Sequence, residues 1–390
     1  MIDYCTDIGF VSLNKHGEYL CGDHVECSDA ESSRIIVLAD GLGSGVKASI
    51  LSTLTSKILS TMIANSMPME ECISTIAATL PTCSDRGVAY STFTAIRIID
   101  NQEAEIIQYD NPEVIILRDG RNFEYPVISQ TIEGKKILKT RIKLEEGDTL
   151  VALSDGVVYA GLGITLNYGW QRKDIIEYLE ESYDKGSSAK TICAQLAGRC
   201  EDLYAGMPGD DTTVCVARLR RRRQVNLLIG PPQNPEDLPK MMSLFFSKEG
   251  AHIVCGGTTS SLAAGYLKAP LEAGFSSRGD PEIPPISKIR GVDLVTEGVI
   301  TMSRVLEYAV DYQNTNLRFS EWRSRDDGAS LVSRFLFEEA TDINFFVGRA
   351  SNPAHQNSGL QIGFNSKMKL IEELAACLDK MGKTIKVSYF

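Results

Sequence analysis

Short apolar runs that break on acidic residues set the rhythm of the first half of this chain. Ile35-Ile36-Val37-Leu38-Ala39 runs into Asp40-Gly41, and Thr149-Leu150-Val151-Ala152-Leu153-Ser154 runs into Asp155-Gly156. β-branched residues fit a pleated, half-buried strand, and a following glycine permits a tight turn or a close backbone approach. Residues 1–36 read as three short strands with a turn at Lys15-His16-Gly17. From 46 to 67 the period becomes helical through Leu51, Leu54, Ile58, Leu59 and Met62; Pro68 breaks it, and 69–80 resumes it as a second helix. Strand patterns return at 91–100, 103–110, 114–118 and 139–144, parted by Asp100-Asn101, Asp119-Gly120 and Glu146-Gly147-Asp148. Strands this close, with no helix between them, predict antiparallel pairing. Helical patterns at 172–182 and 188–203 precede a last strand at 213–218. The order predicts an α-β-β-α sandwich, two antiparallel sheets face to face with helices outside.

After Arg223 the texture changes. Strand patterns at 225–230, 252–257, 291–295, 343–347 and 384–387 alternate with helical patterns at 235–249, 259–267, 301–312, 327–340 and 368–381. This alternation predicts a smaller α/β domain with a parallel sheet. The boundaries are 1–223 for the first domain and 224–390 for the second. The stretch from 270 to 289, rich in proline with Gly274 and Gly279, reads as an irregular excursion. At the junction, Arg218-Leu219-Arg220-Arg221-Arg222-Arg223 reads as a solvated basic run or a docking patch for an acidic protein.

Bulk properties narrow the classes. A chain of 390 residues suits two cores, and its formal charge of −11 disfavours a general nucleic-acid partner. No apolar run reaches membrane-spanning length, and the start Met1-Ile2-Asp3-Tyr4-Cys5 lacks a signal core. The expectation is a cytoplasmic protein with no membrane partner. Ten cysteines without a Cys-x-x-Cys pair read as reduced thiols, and Cys193 and Cys200 as packing residues of one helix.

The chemistry concentrates in carboxylates. Asp40 and Asp155 follow apolar strands, Asp210-Asp211 precedes one beginning near Thr213, and Asp23 follows Cys21-Gly22. Acids gathered at strand ends repel one another in low dielectric unless a cation lies between them. Hard divalent ions such as Mg²⁺ or Mn²⁺ take carboxylates, carbonyls and water. No Ser-His-Asp or Cys-His arrangement offers a protein nucleophile.

Taken together, Cys21-Gly22-Asp23, Asp40-Gly41-Leu42-Gly43-Ser44-Gly45-Val46-Lys47-Ala48, Ser154-Asp155-Gly156 and Asp210-Asp211-Thr212-Thr213 resemble the metal-dependent serine/threonine phosphatases of the PPM (PP2C-like) class. The likeness is to its bacterial sporulation and stress-response (SpoIIE-like) branch, over about residues 1–220. It implies two Mn²⁺ or Mg²⁺ ions about 4 Å apart that activate a water. Asp40 would bridge them, the Gly41 carbonyl and Asp23 would serve one ion, and Asp155 and Asp210 the other. Asp211 and Thr213 would support them. Two departures stand out from the eukaryotic members: Leu42 occupies the position of a proton-donating histidine, and no arginine precedes Arg34. His24 is a candidate substitute acid.

The implied function is hydrolysis of phosphoserine or phosphothreonine on a regulatory protein. A small-molecule phosphohydrolase and a catalytically weak, metal-containing regulatory module are the alternatives. In the second domain, Gly256-Gly257-Thr258-Thr259-Ser260 between a strand and a helix, and Arg349 within Gly348-Arg349-Ala350-Ser351-Asn352, are candidates for a small anionic ligand. A sensor or docking role is expected there, and self-association is left open.

Overall fold

The computed structural model of the chain describes residues 3–79, 91–132, 134–274, 279–313, 318–350 and 363–390. It divides into two compact units, Met1–Arg221 and Arg222–Phe390. The first begins with β1 (Tyr4–Leu13), the hairpin β2 (Asp23–Ala30) and β3 (Ser33–Gly41), then α1 (Gly45–Ala64) and α2 (Met69–Thr79). Next come β4 (Ser91–Ile99), β5 (Glu103–Tyr109), β6 (Ile115–Arg118), β7 (Arg121–Asn122), β8 (Ile128–Ile132), β9 (Lys135–Lys143) and β10 (Thr149–Leu153). The one-turn α3 (Asp155–Val158), then α4 (Arg172–Glu181) and α5 (Ala189–Leu203), lead to β11 (Thr212–Arg221). Leu80, the expected end of the second helix, lies outside the described residues. β7 and the mostly exposed β8 had no clear apolar signature and were not expected.

Among the described residues these strands make two antiparallel sheets, ordered β1-β11-β10-β6-β7 and β2-β3-β4-β5-β9-β8. The period-two alternation of a strand explains the layers. Ile36 and Leu38 face Leu150, Ala152, Cys215 and Ala217 of the other sheet, forming the core between sheets. Ile35, Val37 and Ala39 face the opposite way, onto Leu51, Leu59 and Ile63 of α1. Val151, Leu153, Val214 and Val216 likewise face α5 through Ile192 and Leu196. The result is the expected sandwich.

In the second unit β12 (Gln224–Ile229), α6 (Leu238–Phe246), β13 (Ala251–Cys255), α7 (Gly257–Leu267), β14 (Leu271–Ala273), β15 (Ser287–Ile289) and β16 (Leu294–Thr296) follow one another. α8 (Val299–Gln313), α9 (Phe319–Ser324), α10 (Gly328–Ser333), β17 (Asp342–Val347), α11 (Gly363–Lys380) and β18 (Thr384–Tyr389) complete it. The sheet order is β14-β15-β16-β13-β12-β17-β18. Strands β16, β13, β12, β17 and β18 run parallel, as the alternation predicts. The sheet is nonetheless mixed. The stretch expected to be an irregular excursion supplies β14 and β15, which pair antiparallel at one edge. Such three-residue strands carry too few side chains to show a period.

The arginine run is solvated only in its second half, where Arg221, Arg222 and Arg223 are exposed. Its first half lies in β11, so alternate residues enter the protein. Arg218 is 1% exposed and donates to the carbonyls of Ser187, Asp184 and Lys185 and to the Tyr183 hydroxyl. Arg220 pairs with Asp7, Arg221 with Glu146, Arg222 with Asp342 and Arg223 with Glu339. Arg218→Ala is expected to destabilise the first unit by about 3 kcal/mol, because it orphans several buried carbonyls. Arg222→Ala, at an exposed pair, is expected to cost under about 1 kcal/mol. Denaturant midpoints of the two variants check the contrast.

Candidate active site

The same alternation that builds the sandwich gathers its acids. Asp40 continues the Ile36, Leu38 series and so faces between the sheets at their end. Asp23 is its register partner on β2, and Thr92 lies opposite on β4. From the other sheet, Thr213 continues the inward series of Cys215 and Ala217, and Asp211 precedes it by two. Asp155 opens α3 immediately past β10, held there by Ser154, whose hydroxyl accepts from the Thr213 N–H at 2.8 Å. Asp155 thus sits in the first turn of a helix, not on the strand itself.

Two glycines are required by close backbone approach. A Cβ on Gly41 would lie 2.1 Å from the Ala48 carbonyl oxygen, and one on Gly156 would lie 2.1 Å from that of Asp211. Any side chain there would push α1 off β3, or α3 off the start of β11. The Tyr204 hydroxyl secures the second junction by donating to the Gly156 carbonyl at 2.6 Å.

Asp40, Asp155 and Asp210 line one open cleft of about 1180 Å³ in the first unit, together with Gly41, Leu42, Tyr109 and Asn111. Asp23 lies behind them, 5% exposed, and neither of its carboxylate oxygens completes a hydrogen bond of normal geometry among the described residues. Burial first, and then the charges of Asp211 and Asp155, push its pKa up to about 7, against the nearby hydroxyls of Thr213 and Ser154, which lower it. Asp40 is pushed up to about 10, first by burial and then by the charges of Asp23, Asp155 and Asp210. Burial, then Asp210, also raises Asp155. A cation placed between these carboxylates would offset both the burial and the mutual repulsion.

Asp210 and Asp211 divide their work. Asp210 is half-exposed in the cleft, with the Lys15 ammonium 3.7 Å away. Asp211 is buried; one oxygen accepts from the Lys15 N–H at 3.0 Å, and the other has no partner among the described residues. Thr213 bonds Ser12 through its hydroxyl at 2.8 Å. His24 is not placed to act as an acid. As the neighbour of Asp23 on a strand it faces the opposite way, and its Nδ1 lies 2.8 Å from the Ser56 hydroxyl on α1.

Among the described residues no group of three or more His, Cys, Asp or Glu side chains is disposed to hold a metal ion as it stands. The acids converge without closing a cage. Their chemistry nevertheless fits a hard divalent cation: the donors are all oxygen, and three buried carboxylate oxygens, two on Asp23 and one on Asp211, go unpartnered. Sequence reasoning quoted Cys21 only as part of a motif; half-buried beside Asp23 and Asp211, its thiol is pushed far up by burial and those charges. It missed Lys15. Neither has a local signal, since each reaches the site from a loop whose path only the fold determines.

In the second unit the candidate residues lie past the carboxyl ends of β13 and β17. Gly256 donates its N–H to Thr296, the Thr259 hydroxyl accepts from the Gly230 N–H at 3.0 Å, and the Ser260 hydroxyl donates to the Gly256 carbonyl. Gly257 and Thr258 are exposed. Arg349 lies past β17 with its guanidinium 5.0 Å from the Tyr389 ring centre. β12 lies between the parallel strands β13 and β17, so Arg349 and residues 256–260 stand at the same carboxyl edge of the sheet, one strand apart. Ser351 and Asn352 lie outside the described residues. No helix among the described residues is long and apolar enough to cross a membrane.

Residues 31–220 match the family model described as Stage II sporulation protein E (SpoIIE). Among solved structures, the chain is similar to the PP2C phosphatase domain with a fragment of the regulatory domain of SpoIIE from Bacillus subtilis. That match has 19% identity and a TM-score of 0.48, covering 57% of this chain and 65% of that one, just under two thirds of its length. The phosphatase domain of SpoIIE from Bacillus subtilis, in a crystal form without domain swapping, matches at 19% identity and a TM-score of 0.44, covering 57% and 95%. The SiaA-PP2C domain of Pseudomonas aeruginosa matches at 12% and 0.42, covering 54% and 85%. No curated protein matches the chain. Residues 31–220, most of the N-terminal unit, thus match the SpoIIE family model and carry the acidic motifs on a two-sheet sandwich of the PPM (PP2C-like) type.

Proposed function

We propose that the first unit is a Mn²⁺- or Mg²⁺-dependent phosphatase that hydrolyses phosphoserine or phosphothreonine on a regulatory protein. The observation that carries this reading is the convergence of Asp23, Asp40, Asp155 and Asp210 on one end of the sandwich, with buried carboxylate oxygens left unpartnered. Asp40, Asp155, Asp210, Asp23 and the Gly41 carbonyl are the groups that would hold the ions. A bound pair of such ions favours hydroxide over water at neutral pH and offsets charge on phosphoryl oxygens.

The chain's own residues set the rest. Asp40 keeps its proton without a cation and must release it to become a ligand, so the site loads more readily as pH rises. Lys15 holds Asp210 at the cleft edge and neutralises part of its charge. Leu42 lines the cleft and cannot donate a proton to a leaving alkoxide. That favours a substrate held by many contacts, so that positioning replaces acid catalysis. The cleft volume of about 1180 Å³ exceeds the usual small-ligand range of roughly 300–1,000 Å³, which favours a protein segment over a metabolite.

The test is release of phosphate from a phosphoserine peptide, with nucleotides and sugar phosphates run beside it. Activity is expected with Mn²⁺ or Mg²⁺, lost on chelation, and reduced at least about 100-fold in Asp155→Asn. Metal-independent turnover would end this reading, and a preference for the small phosphates would replace it with the metabolite alternative.

A further inference from the structure

The cleft presents an electrostatic problem that its metal-binding acids do not solve. A phosphoprotein is anionic, and the acids at the base of this cleft are given over to holding cations rather than to attracting it. Cations on its walls must therefore guide the substrate. Two of the lining cations are already committed. Lys15 is paired with Asp210 at 3.7 Å, and Arg172 donates to the carbonyls of Glu113 and Val114.

Lys135 and Lys136 stand differently. They open β9 at the turn from β8, where Ile132 pairs with Lys135 and Thr131 with Lys136. Both line the cleft, and among the described residues neither has a carboxylate partner. The Lys135 ammonium is half-buried over the Tyr109 ring, 5.0 Å from its centre. Tyr109 ends β5 and lines the same cleft. Burial lowers the Lys135 pKa, so its charge is held at a cost that an arriving carboxylate would relieve. A ring face on one side limits the directions from which that carboxylate can come, which gives the contact orientation as well as charge.

We infer that Lys135 is a specificity-determining cation that selects phosphosites flanked by aspartate or glutamate, while Lys136, which faces the other way on the strand, adds only nearby positive charge. The inference rests on the phosphatase reading and narrows its substrate to an acidic segment of a phosphoprotein. The phosphoryl group itself goes to the acid end, and the flanking carboxylates go to the β8–β9 turn. Because the contact is largely electrostatic, the preference falls as salt rises.

The experiment compares full-length protein on three phosphoserine peptides, with aspartates, alanines or lysines flanking the phosphosite. Wild type is expected to favour the acidic peptide over the neutral one by roughly fivefold in kcat/KM, mainly through KM, with the ratio shrinking at high salt. Lys135→Ala with Lys136→Ala is expected to bring the ratio near one, Lys135→Arg to retain it, and Lys135→Glu with Lys136→Glu to reverse it toward the basic peptide. Binding of the same peptides to Asp40→Asn, followed by fluorescence anisotropy, reads selection without turnover. Hydrolysis of all three peptides at equal efficiency by wild type overturns this inference and leaves the phosphatase reading intact. Equal ratios in wild type and the double alanine variant overturn it too. Failure to hydrolyse any phosphopeptide overturns the phosphatase reading itself.

Discussion

Asp40→Asn is expected to lose on the order of 10³-fold in phosphopeptide hydrolysis, equivalent to about 4 kcal/mol, and yet to be more stable than wild type when metal is absent. The two effects share one cause. Asp40 is held in a site where burial and three neighbouring carboxylates oppose its charge. In the unfolded chain it ionises freely, so at neutral pH folding must return a proton to it. Asparagine has almost the same shape and no proton to recover. The gain is expected to be about 1–3 kcal/mol at pH 7. Calorimetry in chelator gives the stability, and phosphate release gives the activity. A variant that is active within tenfold of wild type, or clearly less stable than it without metal, contradicts the account.

The second large effect is a stability curve of unusual sign. Most acids in folded proteins have lowered pKa values and favour folding as pH rises. Here Asp23 is raised to about 7 and Asp40 to about 10, so the native state binds more protons than the unfolded one. Between about pH 4 and 7 both groups contribute a loss of stability with rising pH, and from about 7 to 10 Asp40 continues it alone. The slope is bounded by about 1.4 kcal/mol per pH unit for each retained proton. Metal-free protein is therefore expected to melt at lower temperature at pH 8.5 than at pH 5.5. Mn²⁺ should cancel or reverse that trend, since it binds the ionised acids of the native state; at a hundred times its dissociation constant it adds about 2.7 kcal/mol. Asp40→Asn should flatten the metal-free curve above pH 7. Melting scans across pH, with and without Mn²⁺, decide it; a metal-free midpoint that rises steadily with pH would refute the acid cluster as described.

Both predictions depend on side chains far apart in sequence, which bears on what could be read from the chain alone. The motif around Asp40 was legible because a strand of β-branched residues has one period and a glycine-rich turn another. The change between them is visible in a dozen residues. Asp155 was legible for the same reason. That Asp155 begins a helical turn was not, because four residues are too few to show a helical period. His24 shows the opposite failure: adjacency to Asp23 suggested a shared site, but consecutive residues on a strand face opposite ways. The solvated reading of the arginine run held for Arg221 to Arg223 but not for its start, since β11 carries Arg218 and Arg220 inward.

What the sequence by itself determined is local and periodic: the strand and helix order of both units, and the acidic motifs that mark the branch. These survive in one dimension because hydrophobic period and turn chemistry act between near neighbours. Only the tertiary structure decided which groups meet. It set Asp23 opposite Asp40, brought Lys15 across to Asp210 and Asp211, and seated Lys135 on Tyr109. It also added an antiparallel edge to the second sheet. Such meetings follow from register and sheet packing, which depend on the whole core finding its lowest free energy and leave no mark on any single stretch of chain.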